Sequence, residues 1–206
     1  MPLPADVALR VLDTTLSALP RARAAMQPRA LAQWLRRRYA LVLGFVFFGR
    51  QDSCVALATR DHGIDEQFIW LRLTEKMKRG FAFRRVVRLP LHASAVQGHA
   101  SALPSLARLG LAYREARAAL LGGEAKPEWV FQLPGEPRPT TRHMSAWVET
   151  TLSEEGVVAP PGFIYLGHSL RSGGSSAAEA IGVSRYLGNW LGGCVDFVLC
   201  PALPPS

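Results

Sequence analysis

A chain of 206 residues, 49% of them hydrophobic, suits one domain, or one with a short appendage, and holds ample apolar mass for a core. Its 24 Lys and Arg against 16 Asp and Glu give a formal net charge of +8, which points to a polyanionic partner, nucleic acid or an acidic membrane surface, unless the charge is only a basic solvated surface. Cys54, Cys194 and Cys200 form neither a disulfide framework nor a zinc spacing, and no signal peptide or apolar run near the ~20 residues of a membrane span is present, so a soluble intracellular protein in a reducing compartment is expected.

Residues 5–19 and 29–48 predict helices. In the second, Leu31, Trp34 and Leu35 give one apolar face, and Arg36, Arg37 and Arg38 form a basic cluster ahead of the apolar run Tyr39 to Phe48, which Arg38 and Arg50 bracket. Residues 54–58 read as a short strand, Phe68 to Leu73 as a better one, and Phe81 to Leu89 as a third. The polar turn Thr74 to Gly80 separates the last two, and Pro90 closes the β-region. Residues 101–121 are helical, with Leu103, Leu106, Leu109, Tyr113 and Leu120 on related faces. The proline-rich stretch Lys126 to Pro139 reads as an ordered loop or crossover. Thr140 or Thr141 caps a helix carrying Met144, Trp147, Val148 and Leu152. Pro160-Pro161-Gly162 then leads through Phe163–Leu166 into a last helix over 168–181. There is no internal repeat. The expected fold class is mainly α with a small antiparallel β-sheet (α+β), the sheet inserted after the second helix.

The segment from Tyr165 to Val183 carries the chemistry. His168 and Arg171 are three residues apart, so on a helix they share a face. They fall in its first turn, where free backbone N–H groups and the helix dipole favour anions. Leu170, Gly174, Ala177 and Ile181 form the stripe behind them, narrow enough for close packing. An imidazole and a guanidinium presented together at a helix start suit a phosphate. The plainer reading of H-x-x-R alone is a surface helix with incidental His and Arg.

The longer run His168-Ser-Leu-Arg171-Ser-Gly-Gly-Ser-Ser-Ala-Ala-Glu-Ala-Ile-Gly-Val183 resembles the second box of tyrosine recombinases, the phage integrases and their relatives, and most of all the H-S-L-R form of eukaryotic mobile elements. Phe48-Gly-Arg50-Gln-Asp-Ser-Cys-Val-Ala-Leu57 is similar to the first box, with Arg50 at its arginine; Ser53 replaces the expected glutamate, with Asp52 beside it. Trp70-Leu-Arg-Leu-Thr-Glu-Lys76-Met-Lys78 resembles the β-hairpin that carries a lysine between the boxes, and Arg85-Val-Val-Arg-Leu-Pro90 resembles its exit strand. Lys76 is the preferred residue and Lys78 the alternative. The likeness spans about residues 30–194.

It implies a tyrosine recombinase catalytic-like domain over 29–206, incomplete at its C-terminal end, behind a short N-terminal helical remnant or linker, 1–28. It also implies roles. Arg50 and Arg171 clamp the non-bridging oxygens of a phosphodiester, His168 assists proton transfer, and the hairpin lysine protonates the leaving 5′ oxygen. Arg50, Lys76, Lys78 and Arg171 are thus the expected DNA-binding residues. The family uses no metal and no small-molecule cofactor.

The departures are C-terminal. Leu191-Gly192-Gly193-Cys194 has the frame in which the family places a His or Trp, but ends in Cys194, with Trp190 too early. No tyrosine follows Tyr186, so the nucleophile is absent, and neither the thiol nor the position of Cys200 suits it to the task. The resemblance therefore implies a protein of the DNA recombination and integration class, with double-stranded DNA and other recombinase subunits as partners, and not cutting DNA on its own. It implies a mobile-element origin, a nuclear location if the source is eukaryotic, and, with the upstream core-binding domain of the family essentially missing, salt-sensitive binding.

Two other classes compete. Phe163-Ile-Tyr-Leu-Gly-His-Ser169-Leu resembles the strand and nucleophile elbow of an α/β-hydrolase, but Arg171 stands at its closing glycine and no His follows His168. A basic nucleic-acid-binding or scaffolding module without recombinase ancestry would explain the charge, but gives no reason for Arg50 and the His168–Arg171 pair to converge.

Overall fold

Helix α1 (Ala5–Ala25) buries Val7, Ala8, Val11, Leu12 and Thr15 on one face, the 3.6-residue stripe of an amphipathic helix. After a break at Met26 and Gln27 the chain enters α2 (Pro28–Val46) with proline at its first helical position, where a missing N–H breaks no helical bond. The computed structural model describes residues 1–47, 50–76, 82–91, 102–123, 125–180 and 182. In it α2 is buried almost continuously from Leu35 to Phe45. A helix apolar on most sides needs neighbours on most sides, and α1, α4 (Ala102–Ala118), α5 (Thr141–Glu154) and α6 (Gly167–Ala180) all pack on it. Residues 1–25 share this core with the rest of the chain.

The sheet is antiparallel in the order β1 (His62–Ile64), β2 (Phe68–Lys76), β3 (Ala82–Pro90). Its register sets Gly63 opposite Trp70 and Trp70 opposite Arg88. Ile69 and Leu71 point to the core, with Phe68, Trp70 and Arg72 less covered, the period-2 alternation of a half-buried strand. Gly63 has no room for a side chain because the Trp70 indole lies on it. The fold is thus mainly α with a small antiparallel sheet placed after the second long helix, as the sequence predicts.

One element differs. Residues 54–58 are not a strand: Gln51–Val55 form a short helix, α3, and Ala58 makes only an isolated bridge to Trp129. Cys54-Val-Ala-Leu-Ala is a short apolar run whose periodicity fits either state. What decides is the segment's neighbours: the amide of Val130 donates to the Leu57 carbonyl (2.8 Å) and that of Thr59 to Glu128 (2.7 Å). The proline-rich stretch is therefore a crossover tied to residues 57–59, and the Arg117 guanidinium fixes it further by donating to the carbonyls of Pro127 and Trp129, both at 2.9 Å.

The arginine cluster of α2 lies inside the fold. Arg36 pairs with Glu136 and stacks over Trp147. Arg37 meets Glu154 at 2.6 Å, and Arg38 bridges Glu154 (2.5 Å) and Glu155 (2.7 Å) while lying over Trp34. Three cations that the sequence offers as a basic patch are neutralised by carboxylates from the crossover and the end of α5. Next to them Tyr39, Tyr113, Phe131 and Trp147 form a continuous aromatic cluster. The Tyr39 hydroxyl lies 2.6 Å from His62 Nε2, tying the cluster to β1.

Two outcomes follow. Arg38→Ala leaves the Glu155 carboxylate, itself only 10% exposed, with the Thr14 hydroxyl but without its arginine, and should cost about 3 kcal/mol in urea unfolding. Arg37→Ala, with one ion pair and a better-solvated side chain, should cost under about 1 kcal/mol. Equal losses would mean that burial of these pairs is not what matters.

Burial first, and then the charges of Arg114 and Arg117, push the His62 imidazole down to about 4. The unfolded chain binds this proton near the ordinary 6.5 and the folded chain does not. The contribution of neutral His62 is hence complete above about pH 6.5 and is lost as pH falls through about 4. The gap bounds the effect at roughly 3 kcal/mol, less for the ring's partial exposure. Unfolding measured at pH 7 and pH 4.5 should show a smaller acid loss in His62→Gln than in the parent chain; an unchanged loss would assign it to other groups.

Candidate functional site

Arg50 holds the N-cap position of α3 in an extended backbone conformation, its carbonyl accepting from the Cys54 amide at 2.9 Å. Gln51 and Asp52 follow in the first turn, and the Asp52 carboxylate accepts from the Ser53 amide at 3.0 Å. Val55 and Leu57 anchor this short element in the core.

Helix α6 begins at Gly167 against that same turn. A Cβ on Gly167 would lie 2.6 Å from Gln51 Cδ, so the missing side chain lets the start of α6 close on α3. The first turn is stitched by two bonds: the Ser169 amide donates to the Leu166 carbonyl at 2.9 Å, and the Leu166 amide donates to Ser169 Oγ at 3.1 Å. Leu170, Gly173, Gly174 and Ala178 are buried, while His168 is exposed and Arg171 half-buried. The Leu170 side chain reaches to 3.1 Å from where a Cβ on Gly44 would stand, so α6 rides close on α2.

The result is one open cleft of about 580 Å³ lined by Arg50, Gln51, Asp52, Thr141, His168 and Arg171. Arg50 and, more than a hundred residues later, the His168–Arg171 pair stand around it together. Asp52, noted only as a neighbour of the replaced glutamate, lines it too. Gln51 and Thr141 are additions. Thr141 was legible only as a helix-cap candidate; Thr140 is the cap, its amide donating to His143 Nδ1 at 3.1 Å, and Thr141 opens α5 at the cleft. Two guanidiniums, an imidazole and a hydroxyl around one carboxylate make a concavity suited to an anion with several oxygens.

Lys76 is the last residue of β2, paired with Ala82 across the hairpin. Lys78, Tyr186, Trp190, Cys194 and Cys200 lie outside the described residues. Among the described residues no group of His, Cys, Asp and Glu side chains is placed to hold a metal ion, and no helix is long and apolar enough to cross a membrane.

The hydrolase alternative fails on geometry. Residues 163–166 are not a strand, and Ser169 is 4% exposed inside the first turn of α6, its hydroxyl occupied by the Leu166 amide. A nucleophile elbow requires the serine exposed on a strand-to-helix turn.

No protein-family model and no curated protein matches this sequence. Solved structures do. The XerH site-specific recombinase bound to difH substrate, in its pre-cleavage complex, superposes with a TM-score of 0.64 at 13% identity over 93% of this chain and 46% of its own. The XerH post-cleavage complex on palindromic difH gives 0.57 at 14% identity, over 93% and 49%. A lambda integrase(75-356) dimer bound to a COC′ core site gives 0.52 at 17% identity, over 98% and 61%. The chain spans about half the length of the XerH chains that it matches. Its fold is that of tyrosine recombinase catalytic domains.

Proposed function

We propose that this chain grips the phosphodiester backbone of double-stranded DNA in the cleft between α3, α5 and α6 and, acting alone, does not cut it. What supports the reading above all is the convergence on one cleft of Arg50 with the His168–Arg171 pair, in a fold of the recombinase catalytic type.

The chemistry runs through the charge of the phosphate. A diester carries one negative charge on two non-bridging oxygens, and attack at phosphorus places further charge on them. Guanidiniums on two different elements meet these oxygens with paired N–H donors, a geometry that an ammonium does not reproduce. The His168 imidazole adds a donor and a group able to move a proton at a bridging oxygen. Lys76, with Lys78 as alternative, is the proposed acid for the leaving 5′ oxygen, carried to the site on the β2–β3 hairpin. No metal or small-molecule cofactor enters this scheme. Transition-state stabilisation accelerates nothing without an attacking group, and the sequence after Leu191 has no tyrosine. A second recombinase subunit is the proposed source of one.

Binding tests the first half. Affinity for a short duplex should fall steeply with salt, because phosphate contacts release counterions. Arg171→Ala and Arg50→Ala should each weaken it about tenfold, as loss of a charged hydrogen-bonding group of roughly 1.5 kcal/mol or more does, and lower the salt slope by about one. Arg171→Lys should recover only part of the loss. If an exposed arginine away from the cleft, such as Arg21, matters as much, the charge acts generically and the chain is a basic nucleic-acid-binding module.

Cleavage tests the second half. A suicide duplex nicked beside the scissile phosphate should leave no denaturation-resistant adduct on this chain alone, whereas a tyrosine-bearing relative added to the mixture should restore one. An adduct formed by the purified chain itself would contradict the assignment of Tyr as missing.

A further inference from the structure

The back of α6 is held by a piece of main chain that the cleft does not use. The Leu3 amide donates to the Ser169 carbonyl at 3.0 Å. Leu3 is 1% exposed and belongs to the main core. One turn further along α6, Gly173 faces the same residue: a methyl there would overlap the Leu3 carbonyl oxygen and lie 2.8 Å from its amide nitrogen. Those are backbone atoms, which cannot swing aside as a flexible side chain does. Behind Leu3 the chain turns through Pro4 straight into α1, whose Val7, Ala8, Val11 and Leu12 are buried. The strap is thereby anchored on both sides.

Its placement relative to the cleft follows from helix geometry. At about 100° per residue, Ser169 and Gly173 lie within roughly 40° of one another, and the midpoint of His168 and Arg171 lies on nearly the opposite side of the helix. The strap therefore backs the face of α6 that carries His168 and Arg171. The helix needs such an external tie. Its middle reads Ser172-Gly-Gly-Ser-Ser176, and each interior glycine is about 1 kcal/mol worse than alanine as a helix former. Local propensity does not fix this element; packing does.

We infer that Leu3 and Gly173 form a positioning lock, in which backbone contact without an intervening Cβ seats α6 so that His168 and Arg171 meet the phosphate. The inference rests on the phosphate reading of the cleft. Gly173 is a positioning residue, and its removal should act through Arg171 rather than through the folded fraction.

The test is a double-mutant cycle on the full chain, reading duplex affinity by fluorescence anisotropy across a salt series. Gly173→Ala should fold, by circular dichroism and a cooperative melt, yet bind about tenfold more weakly with the same loss of salt slope as Arg171→Ala. In the Gly173→Ala background, Arg171→Ala should cost under about twofold further, because sites coupled through one backbone shift do not add. Arg21→Ala should have one and the same effect in both backgrounds. A merely destabilising change lowers the active fraction and leaves the slope and the Arg171 effect intact; that result overturns the lock. Should Gly173→Ala not fold, Leu3→Ala loosens the strap without adding an atom, and the same cycle applies with the same expected coupling. If Arg171→Ala is silent in the parent chain, the phosphate reading itself falls and the lock with it; if it is strong but additive with both strap variants, only the lock falls.

Discussion

Side chains added at positions 44, 167 and 173 would each meet what packs at α6, and of the three only 173 meets main chain, which cannot give. At 44 the neighbour is Leu170, at 167 it is Gln51, and at 173 it is the Leu3 backbone. On α6 the approaches fall at residues 167, 170 and 173, within an arc of about 120°, so they lie along one flank of the helix. Interiors are close-packed, and an added methyl is felt where nothing can give. The cleft inherits this constraint. Arg50 caps α3 and Arg171 belongs to α6, and the two elements meet where the Gln51 side chain lies against a residue that has no Cβ.

The same core sorts the arginines into two populations. Those of α2 sit among aromatic rings and carboxylates, where Glu136, Glu154 and Glu155 neutralise them. Such pairs gain little relative to well-packed apolar side chains, but breaking one leaves a charge without its partner. They orient the crossover and the end of α5 against α2. Arg50 and Arg171 line a cleft with Gln51, Asp52, Thr141 and His168. A count of basic residues weighs both populations alike, whereas the net charge of +8 already subtracts the carboxylates that pair with the first.

The long helices were legible because their apolar residues recur with the helical period and their ends carry proline or threonine signals. The two long strands were legible from β-rich runs flanking a polar turn. The strand expected at 54–58 was not one, since five residues with apolar ends carry no decisive period; hydrogen bonds from Val130 and Thr59 to distant chain partners shaped the segment instead. His62–Ile64 escaped notice because three residues are too few to alternate. Arg50, His168 and Arg171 were legible as a pattern with known spacing, and the fold brings them round one cleft. Gln51 and Thr141 carry no such pattern: their place there comes from where α3 and α5 begin, which is tertiary information. The burial of Arg36 and Arg38 was hidden for the same reason, as their carboxylate partners lie about a hundred residues away in sequence.

Binding and cutting make separate structural demands on a fold of this kind. The cleft-lining residues Arg50, His168 and Arg171 are carried by helices whose other faces are core: α3 through Val55, α6 through Leu170, Gly173 and Ala178. Selection for stability alone therefore keeps their backbones in place, and keeps the cleft concave, whatever becomes of the reaction. A nucleophile is under no such constraint. It must reach phosphorus from one direction with one oxygen. Under the phosphate reading, a chain can thus lose its attacking group and still hold the anion site almost unchanged, because the site is a by-product of how α6 is seated on α2 and α3. Persistence of the cationic cleft is, on this argument, weaker testimony for strand cleavage than for DNA binding, and the two must be measured apart.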